Sequence, residues 1–499
     1  MTARLVATLM AHDPGAAAAA LLDPPAGADY LELRLDALAD PAPKTVHALL
    51  ALPRSIPVIA ACHGNGAGAG GMLGGPARVA LLAAAGEAGA DLLDVDDTLL
   101  AGFPASVPGE RIASCHIASF VPRLEALARR IAGHGARFAK LAVPANQPRH
   151  LGELLALQEA MGEAFAVVPT GRLAEAGRVM AAGRGAALCY GAADPGAPGH
   201  PDQPPAERLH DVFNVQVLGP ATRFFAVVGH PVEHSLSPCW HNAIFRGVGQ
   251  DARMVALDVE RLADVLAAAD ALRLDGLSVT HPLKQEAIVL ASTSLPGAEA
   301  SGAANTLMRL QSPAGWQARN TDWKAACDLL PRLLKNWRKN HEGATPRVLL
   351  LGSGGAARAV AVALIEEDVE LAVWSRRFSN AKALCEAFSG ALPALAVPEP
   401  AHFPADLLVN ATPVGSPGAD PGELHILAGN FRPGAHAVDL AYGADVSPFR
   451  SAAQLAGAHL TRGEDFFCLQ ARRQSELYTG GAVPERVRAD AARRCGLQR

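Results

Sequence analysis

The stretch RVLLLGSGGAARAVAVAL (347–364) decides the reading of this 499-residue chain. An apolar strand-like run stops at Gly352, and an alanine- and valine-rich helical run follows Gly354, Gly355, Ala356 and Ala357. Gly352 permits the tight turn, Gly354 lets a pyrophosphate approach the backbone, and Ala357 is small where helix meets strand. The helix N-terminus offers oriented N–H groups to a phosphate. The next strand signal, ELAVWSRR (370–377), ends in Ser375, Arg376 and Arg377. An acidic residue there would hold the ribose of NAD, whereas two guanidinium groups attract a 2′-phosphate. The expected cofactor is therefore NADP.

Outward from this unit, strand signals recur in RFFAVVGHP (223–231) and GLSVTHP (276–282), and a helical signal in NTDWKAACDLL (320–330). The polar run KNWRKNHEGATPR (335–347) predicts an exposed insertion. Residues 1–192 repeat a different rhythm of short apolar runs and alanine- and leucine-rich helices. The runs start at Leu5, Tyr30, Pro57, Leu92, Arg111, Phe138, Ala164 and Ala187. Eight βα units predict a closed parallel (β/α)8 barrel. Polar residues interrupt these runs near their C-terminal ends: Glu32, Arg34, Asp36, His63, Asp94, Asp96, His116 and Lys140. That rim is where barrel enzymes gather their reacting groups. GAADPGAPGHPDQPPAER (191–208) reads as a loop or linker. The whole is α/β, with a barrel expected over 1–205, a smaller α/β domain over 222–330, a Rossmann domain over 345–465 and returning helices over 466–499.

Composition narrows the partners. With 44 basic and 49 acidic residues the chain carries a net charge of −5, which disfavours a nucleic-acid surface. No apolar run reaches the ~20 residues that span a bilayer, so no membrane partner is expected. The eight cysteines form no C-x-x-C pair, and the expected compartment is the cytoplasm, with reduced thiols. Histidines and carboxylates show no recognised ligand spacing, and no metal is expected.

Residues 223–499 resemble shikimate dehydrogenase in GHPVEHSLSP (229–238), SVTHPLK (278–284), GAANT (302–306), NTD (320–322), GSGGAAR (352–358), NATPVG (410–415) and LQA (469–471). The resemblance implies NADPH-dependent reduction of 3-dehydroshikimate to shikimate, with Lys284 and Asp322 as the catalytic pair. It implies that Ser235 and Ser237 bind the substrate carboxylate, that Thr280, Asn305 and Gln470 contact hydroxyls, and that Tyr442 also faces substrate. For the cofactor it implies Gly352, Gly354, Gly355, Ala356, Arg358, Ser375, Arg376, Arg377, Asn410, Thr412 and Gly463. Ser278 stands where the family has asparagine, and Phe466 where it commonly has methionine.

Residues 1–205 resemble type I 3-dehydroquinate dehydratase in LELRLD (31–36), SCH (114–116) and AKLAV (139–143). The two enzymes occur fused in this order in bifunctional proteins of the shikimate pathway. The resemblance implies that Lys140 forms a Schiff base with 3-dehydroquinate and His116 moves the adjacent proton. Glu32 and Arg34 would hold ring hydroxyls and the carboxylate, and Arg178 matches a substrate-binding arginine. Three positions depart from the family: His63 replaces an arginine, Asp96 a glutamate and His200 a glutamine. A quinate dehydrogenase using NAD, or a barrel that serves as a scaffold or metabolite-binding module, are the competing readings.

Overall fold

The computed structural model describes residues 2–64, 73–417, 424–443 and 446–497. They group as two compact units. The first comprises Met1–Phe224 with Asp251–Asp258 and Asp264–Leu274. The second comprises Phe225–Gln250, Val259–Ala263 and Asp275–Arg499.

The first unit holds eight strands: β1 (Arg4–Leu9), β2 (Tyr30–Arg34), β3 (Val58–Ala61), β4 (Leu92–Asp96), β5 (Glu110–His116), β6 (Phe138–Pro144), β7 (Phe165–Thr170) and β8 (Leu188–Ala192). Parallel ladders join them in the order β7-β6-β5-β4-β3-β2-β1-β8. Ala187 N, just before β8, donates to Phe165 O of β7 (3.0 Å) and draws the two ends of the sheet together. Each strand alternates its side chains with period two. Val6, Tyr30, Ile59, Leu92 and Ile112 form an apolar floor with Ala166, Val168 and Leu188. Two residues further along lie Thr8, Glu32, Asp94, Ser114 and Lys140, and two further still Arg34, His63, Asp96 and His116. The barrel thus changes from apolar to ionisable toward the C-terminal ends of its strands.

The stretch after β8 is no free linker. Ala192 N donates to Pro204 O (2.8 Å), and Gln203 Nε2 donates to Thr8 Oγ1 inside the barrel (3.0 Å). A side chain at Gly191 would sit 2.6 Å from the Ala206 Cα, so glycine lets this segment fold back.

Strand β9 (Arg223–Gly229) opens the second half of the sequence, and β10 (Ala252–Asp258) groups with the first unit. Within the second unit one sheet contains β9, β11 (Leu274–Val279), β12 (Thr293–Ser294), β13 (Thr306–Gln311) and β14 (Ala314–Arg319), in the order β9-β11-β13-β14-β12. The β13–β14 hairpin, turning at Ser312-Pro313, falls between the strand signal at 276–282 and the helical signal at 320–330. The other sheet contains β15 (Arg347–Leu351), β16 (Glu370–Trp374), β17 (Ala394–Ala396), β18 (Ala405–Asn410), β19 (Phe431–Asp439) and β20 (His459–Thr461). It is parallel throughout, in the order β17-β16-β15-β18-β19-β20. Val348 and Leu350 pack on one face, Leu349 and Leu351 on the other.

The helix Thr321–Arg338 runs into the expected insertion, because Leu334 and Trp337 are buried. Ala325, Leu329 and Leu334 of that helix share one core with Ala357 and Val360 of the helix Gly355–Ala363 and with Phe466. This common core explains why the smaller α/β domain and the Rossmann domain belong to a single unit.

Candidate active sites

In the barrel, Lys140 of β6 donates to Asp94 of β4 and lies 3.6 Å from Glu32 Oε1 of β2. All three are buried. The ammonium also lies 4.7 Å from the centre of the Tyr190 ring. Glu32 is held by Thr8 Oγ1 at 2.8 Å. His63 and His116 meet edge to face with ring centres 4.5 Å apart. Burial holds the pKa of each well below the usual imidazole value. The charges of Arg34 and Lys140 add to the effect at His63, and that of Lys140 at His116. Among the described residues neither Nδ1 has a hydrogen-bond partner, and neither do the buried Glu32 Oε1, Asp94 Oδ1 and Ser114 Oγ. Buried polar atoms without partners are costly, and several around one lysine mark where a polar substrate would satisfy them. Glu32, His63 and Asp94 can present one ligand atom each within 4.8 Å, a cluster the sequence did not reveal. The Lys140 ammonium already supplies positive charge beside both carboxylates.

Four of the barrel residues singled out by sequence are engaged within the protein. Asp96 accepts from Thr98 N (3.1 Å) and caps the helix Asp97–Leu100. Among the described residues the His116 Nδ1 has no hydrogen-bond partner. Arg34 is engaged twice by Asp36, at 2.9 and 2.6 Å. Arg178 donates to Pro169 O (3.1 Å) and Tyr190 O (2.6 Å), and burial lowers its pKa to about 10. His200 accepts from Asp202 N (3.2 Å), and it is Gln203 that reaches the barrel interior.

The second unit carries a cavity of about 600 Å³ at the switch point of its parallel sheet, lined by Gly354–Ala356 after β15 and Ala411–Pro413 after β18. Open α/β sheets bind ligands at that point. Lys284 Nζ lies 2.6 Å from Asp322 Oδ2. Asn320 accepts from Trp323 N (3.1 Å) and caps the helix, leaving Asp322 in its first turn free to face the cavity. Asn305 Nδ2 donates to Asp322 Oδ1 at 2.9 Å. A side chain at Gly355 would lie 2.6 Å from the Lys284 Cβ, so glycine here seats the loop directly against the lysine stem. Ser235, Ser237, Thr280, Gln470 and Tyr442 line the same cavity. Burial raises the Tyr442 pKa, partly offset by its hydrogen bond with Ser235.

The remaining expected cofactor residues divide into two groups. Thr412 lines the cavity, and Ser375 pairs with Ser353 of the glycine loop (3.0 Å), followed by exposed Arg376 and Arg377. Four others shape the scaffold and do not line the cavity. Gly352 adopts φ +112° beside Ala411 O, and Gly463 packs on Ala441 O. The buried Asn410 is tied to Asp439 Oδ1 (2.8 Å) and Val414 O (3.0 Å). Arg358 donates to Ser301 O (2.8 Å) and lies over Phe388.

Sequence reasoning missed Gln474 and Tyr478. Ser278 Oγ donates to Gln474 Oε1 (3.1 Å) and pairs with Tyr478 OH (2.8 Å). Gln474 Nε2 in turn donates to Asn305 O and Thr306 Oγ1. Their spacing from Gln470, i+4 and i+8 on one helix face, is the available signal.

Residues 227–307 match the model of the shikimate dehydrogenase substrate binding domain, and residues 5–218 that of type I 3-dehydroquinase. A shikimate dehydrogenase (NADP(+)) of Anaeromyxobacter sp. (strain K) is 41% identical over 281 residues, covering 54% of this chain and 95% of the relative. The chloroplastic bifunctional 3-dehydroquinate dehydratase/shikimate dehydrogenase of Arabidopsis thaliana is 28% identical over 487 residues, covering 92% and 79%. The crystal structure of a Thermus thermophilus shikimate 5-dehydrogenase in complex with NADP(H) and shikimate is 33% identical, covers 55% of this chain and 100% of its own, and gives a TM-score of 0.45.

The buried imidazoles make barrel stability pH-dependent. Folded His63 and His116 resist protonation, while unfolded histidine takes a proton near pH 6.5. Their stabilising contribution is therefore complete above about pH 6.5 and is lost as pH falls toward the folded values, by up to about 1.4 kcal/mol per pH unit for each. Urea midpoints of the barrel at pH 7.5 and 5.5 should differ accordingly. His63→Asn/His116→Asn should shrink that difference.

Proposed function

Because this chain belongs to the shikimate dehydrogenase family and carries a type I 3-dehydroquinase barrel ahead of that unit, we propose that its two sites perform consecutive steps. The barrel dehydrates 3-dehydroquinate to 3-dehydroshikimate, and the second unit reduces 3-dehydroshikimate to shikimate with NADPH. The observation that carries the reading is the Lys284–Asp322 pair facing the same cavity as the glycine loop.

In the reductase, Ser235, Ser237 and Tyr442 hold the substrate carboxylate, and Thr280, Asn305 and Gln470 orient its hydroxyls. Lys284 donates a hydrogen bond, then a proton, to the carbonyl oxygen as negative charge develops there. Asp322, itself held by the Asn305 amide, keeps the ammonium in place. The cradle fits a dinucleotide: the space over Gly354 is open, and the helix Gly355–Ala363 begins there. Gly354, Gly355, Ala356 and Thr412 would face its phosphates, and Ser375, Arg376 and Arg377 the 2′-phosphate. When bound, NADPH supplies the hydride. Gly352, Asn410, Gly463 and Arg358 act through the backbone they shape.

In the barrel, the Lys140 ammonium passes a proton to Asp94 or Glu32, and the amine attacks the substrate ketone. Loss of water leaves an iminium. His116 removes the neighbouring proton, the electron pair moves into the enamine, and the β-hydroxyl leaves as water with that proton. Hydrolysis of the iminium restores Lys140 and releases product. Glu32, Arg34 and Arg178 line the substrate's polar edge in this reading.

Among the described residues no helix is long and apolar enough to cross a membrane. We place the enzyme in the cytoplasm, where its eight cysteines, which form no disulfide among the described residues, stay as thiols.

Lys284→Met should cut the turnover number of 3-dehydroshikimate reduction at least ~100-fold, the usual contribution of a positioned proton donor. Near-normal turnover would remove the lysine from the mechanism. For the barrel, borohydride added with 3-dehydroquinate should attach substrate to the peptide containing Lys140, read by mass spectrometry. His116→Ala should still give that adduct while losing most dehydration. Absence of any adduct on the wild-type chain would favour a barrel that binds without reacting.

A further inference from the structure

We propose that Cys239 and Cys495 are a thiol pair that hydrogen peroxide converts to a disulfide, and that this bond weakens the reductase's hold on its substrate; the second clause rests on the role given above to Ser237. Cys239 sits in the first turn of the helix Ser237–Gly247, and Cys495 caps the C-terminal end of the helix Glu485–Arg494. A side chain at Gly247 would lie 2.4 Å from Val487 Cγ1, so glycine brings the two helices together at that end. From 247 back to 239, and from 487 on to 495, is eight residues each, about 12 Å along either axis. Halfway along stand Ala243 and Ala491, both buried in one core with Trp240, Ile244 and Val487. Glycine and alanine keep the antiparallel helices close, and the next rung carries the two cysteines. Their thiols hydrogen-bond to each other there.

The pair is asymmetric. Cys239 lies at a helix N-terminus, whose unpaired N–H groups favour a thiolate. Its hydrogen bond with Cys239, and then burial, push the Cys495 thiol up, so Cys495 keeps its proton. Cys468, on the helix Gly463–Thr479, borders the same core, but burial pushes its thiol up to about 11, with Asp465 and Glu464 adding to the effect. Cys239 is therefore the sulfur that reacts first. Its thiolate attacks one peroxide oxygen, the O–O bond breaks and hydroxide leaves, giving a sulfenic acid. The Cys495 sulfur then attacks the Cys239 sulfur. The S–S bond forms, the S–O bond breaks, and the hydroxyl leaves with the Cys495 proton as water. Two thiols are oxidised by two electrons in total, and one peroxide is reduced to two waters. Ser237 stands two residues before Cys239 in the same turn and lines the reductase cavity. Ser237 N donates to Ser235 Oγ (3.3 Å). Drawing the sulfurs from hydrogen-bond contact into a covalent bond pulls that turn toward the C-terminal helix, and both serines follow.

The test uses the full-length chain, reduced with dithiothreitol and then treated with hydrogen peroxide. Digestion without reductant should yield cross-linked peptides containing Cys239 and Cys495, which dithiothreitol separates. The treated chain should show KM for 3-dehydroshikimate raised about tenfold, the worth of one hydrogen bond, with kcat little changed and full recovery in dithiothreitol. Cys239→Ser should keep its KM under peroxide, whereas Cys468→Ser should respond as the wild type does. No cross-link, or one that joins Cys468 instead, would overturn the pair. A cross-link that leaves KM unchanged would overturn its effect on the substrate serines, and so would an equal rise in Cys239→Ser. An untreated wild-type chain unable to reduce 3-dehydroshikimate would instead overturn the reductase reading, while the peptide map would still decide the pair.

Discussion

A lysine ammonium drawn into a protein needs a carboxylate, and both halves of this chain are arranged around that requirement. In the barrel, Asp94 and Glu32 approach Lys140 from two other strands. In the second unit, Asp322 meets Lys284 from the start of a helix whose cap is supplied by Asn320. Each carboxylate holds the lysine in place. The two sites then differ in what surrounds the pair. Lys140 sits on an apolar floor beneath unpaired polar atoms and can act as a nucleophile. Lys284 sits against a glycine loop and can act as a proton donor to an oxygen held beside a dinucleotide.

The reductase pair is positioned by a directed hydrogen-bond chain. Ser278 gives its proton to Gln474, so Tyr478 gives its own to Ser278. Gln474 donates to Thr306, Thr306 to Asn305 Oδ1, and Asn305 to Asp322. Each donor is committed to the next acceptor, which fixes the orientation of the Asn305 amide without reference to substrate. Chains of this kind polarise along their length and tolerate a missing member poorly. The serine at 278 therefore belongs to this buried network, held by Gln474 and Tyr478.

Most of the fold was legible because periodicity is a local property. All eight barrel strands fall within one or two residues of their apolar runs, and the strand–glycine–helix unit at 347–364 forms as read. The reductase-site residues were named through short motifs that resemble shikimate dehydrogenase, and the structure gathers Ser235, Ser237, Thr280, Lys284, Asn305, Asp322 and Gln470 around one cavity. What escaped was delivered by elements that look ordinary. Gln474 is a helical residue whose burial depends on what packs over it, and Gln203 lies in a proline-rich loop that only the closed barrel gives a destination. Asp96 shows the converse: it stands where the family has a glutamate, and here it caps the next helix.

Whether one polypeptide carries out both steps is decided by supplying 3-dehydroquinate and NADPH to the purified chain alone and following absorbance at ~340 nm. NADPH oxidation should be stoichiometric, with shikimate as product. Lys140→Met should abolish that signal while leaving oxidation driven by 3-dehydroshikimate intact. A wild-type chain that oxidises NADPH with 3-dehydroshikimate but not with 3-dehydroquinate would contradict the two-step reading.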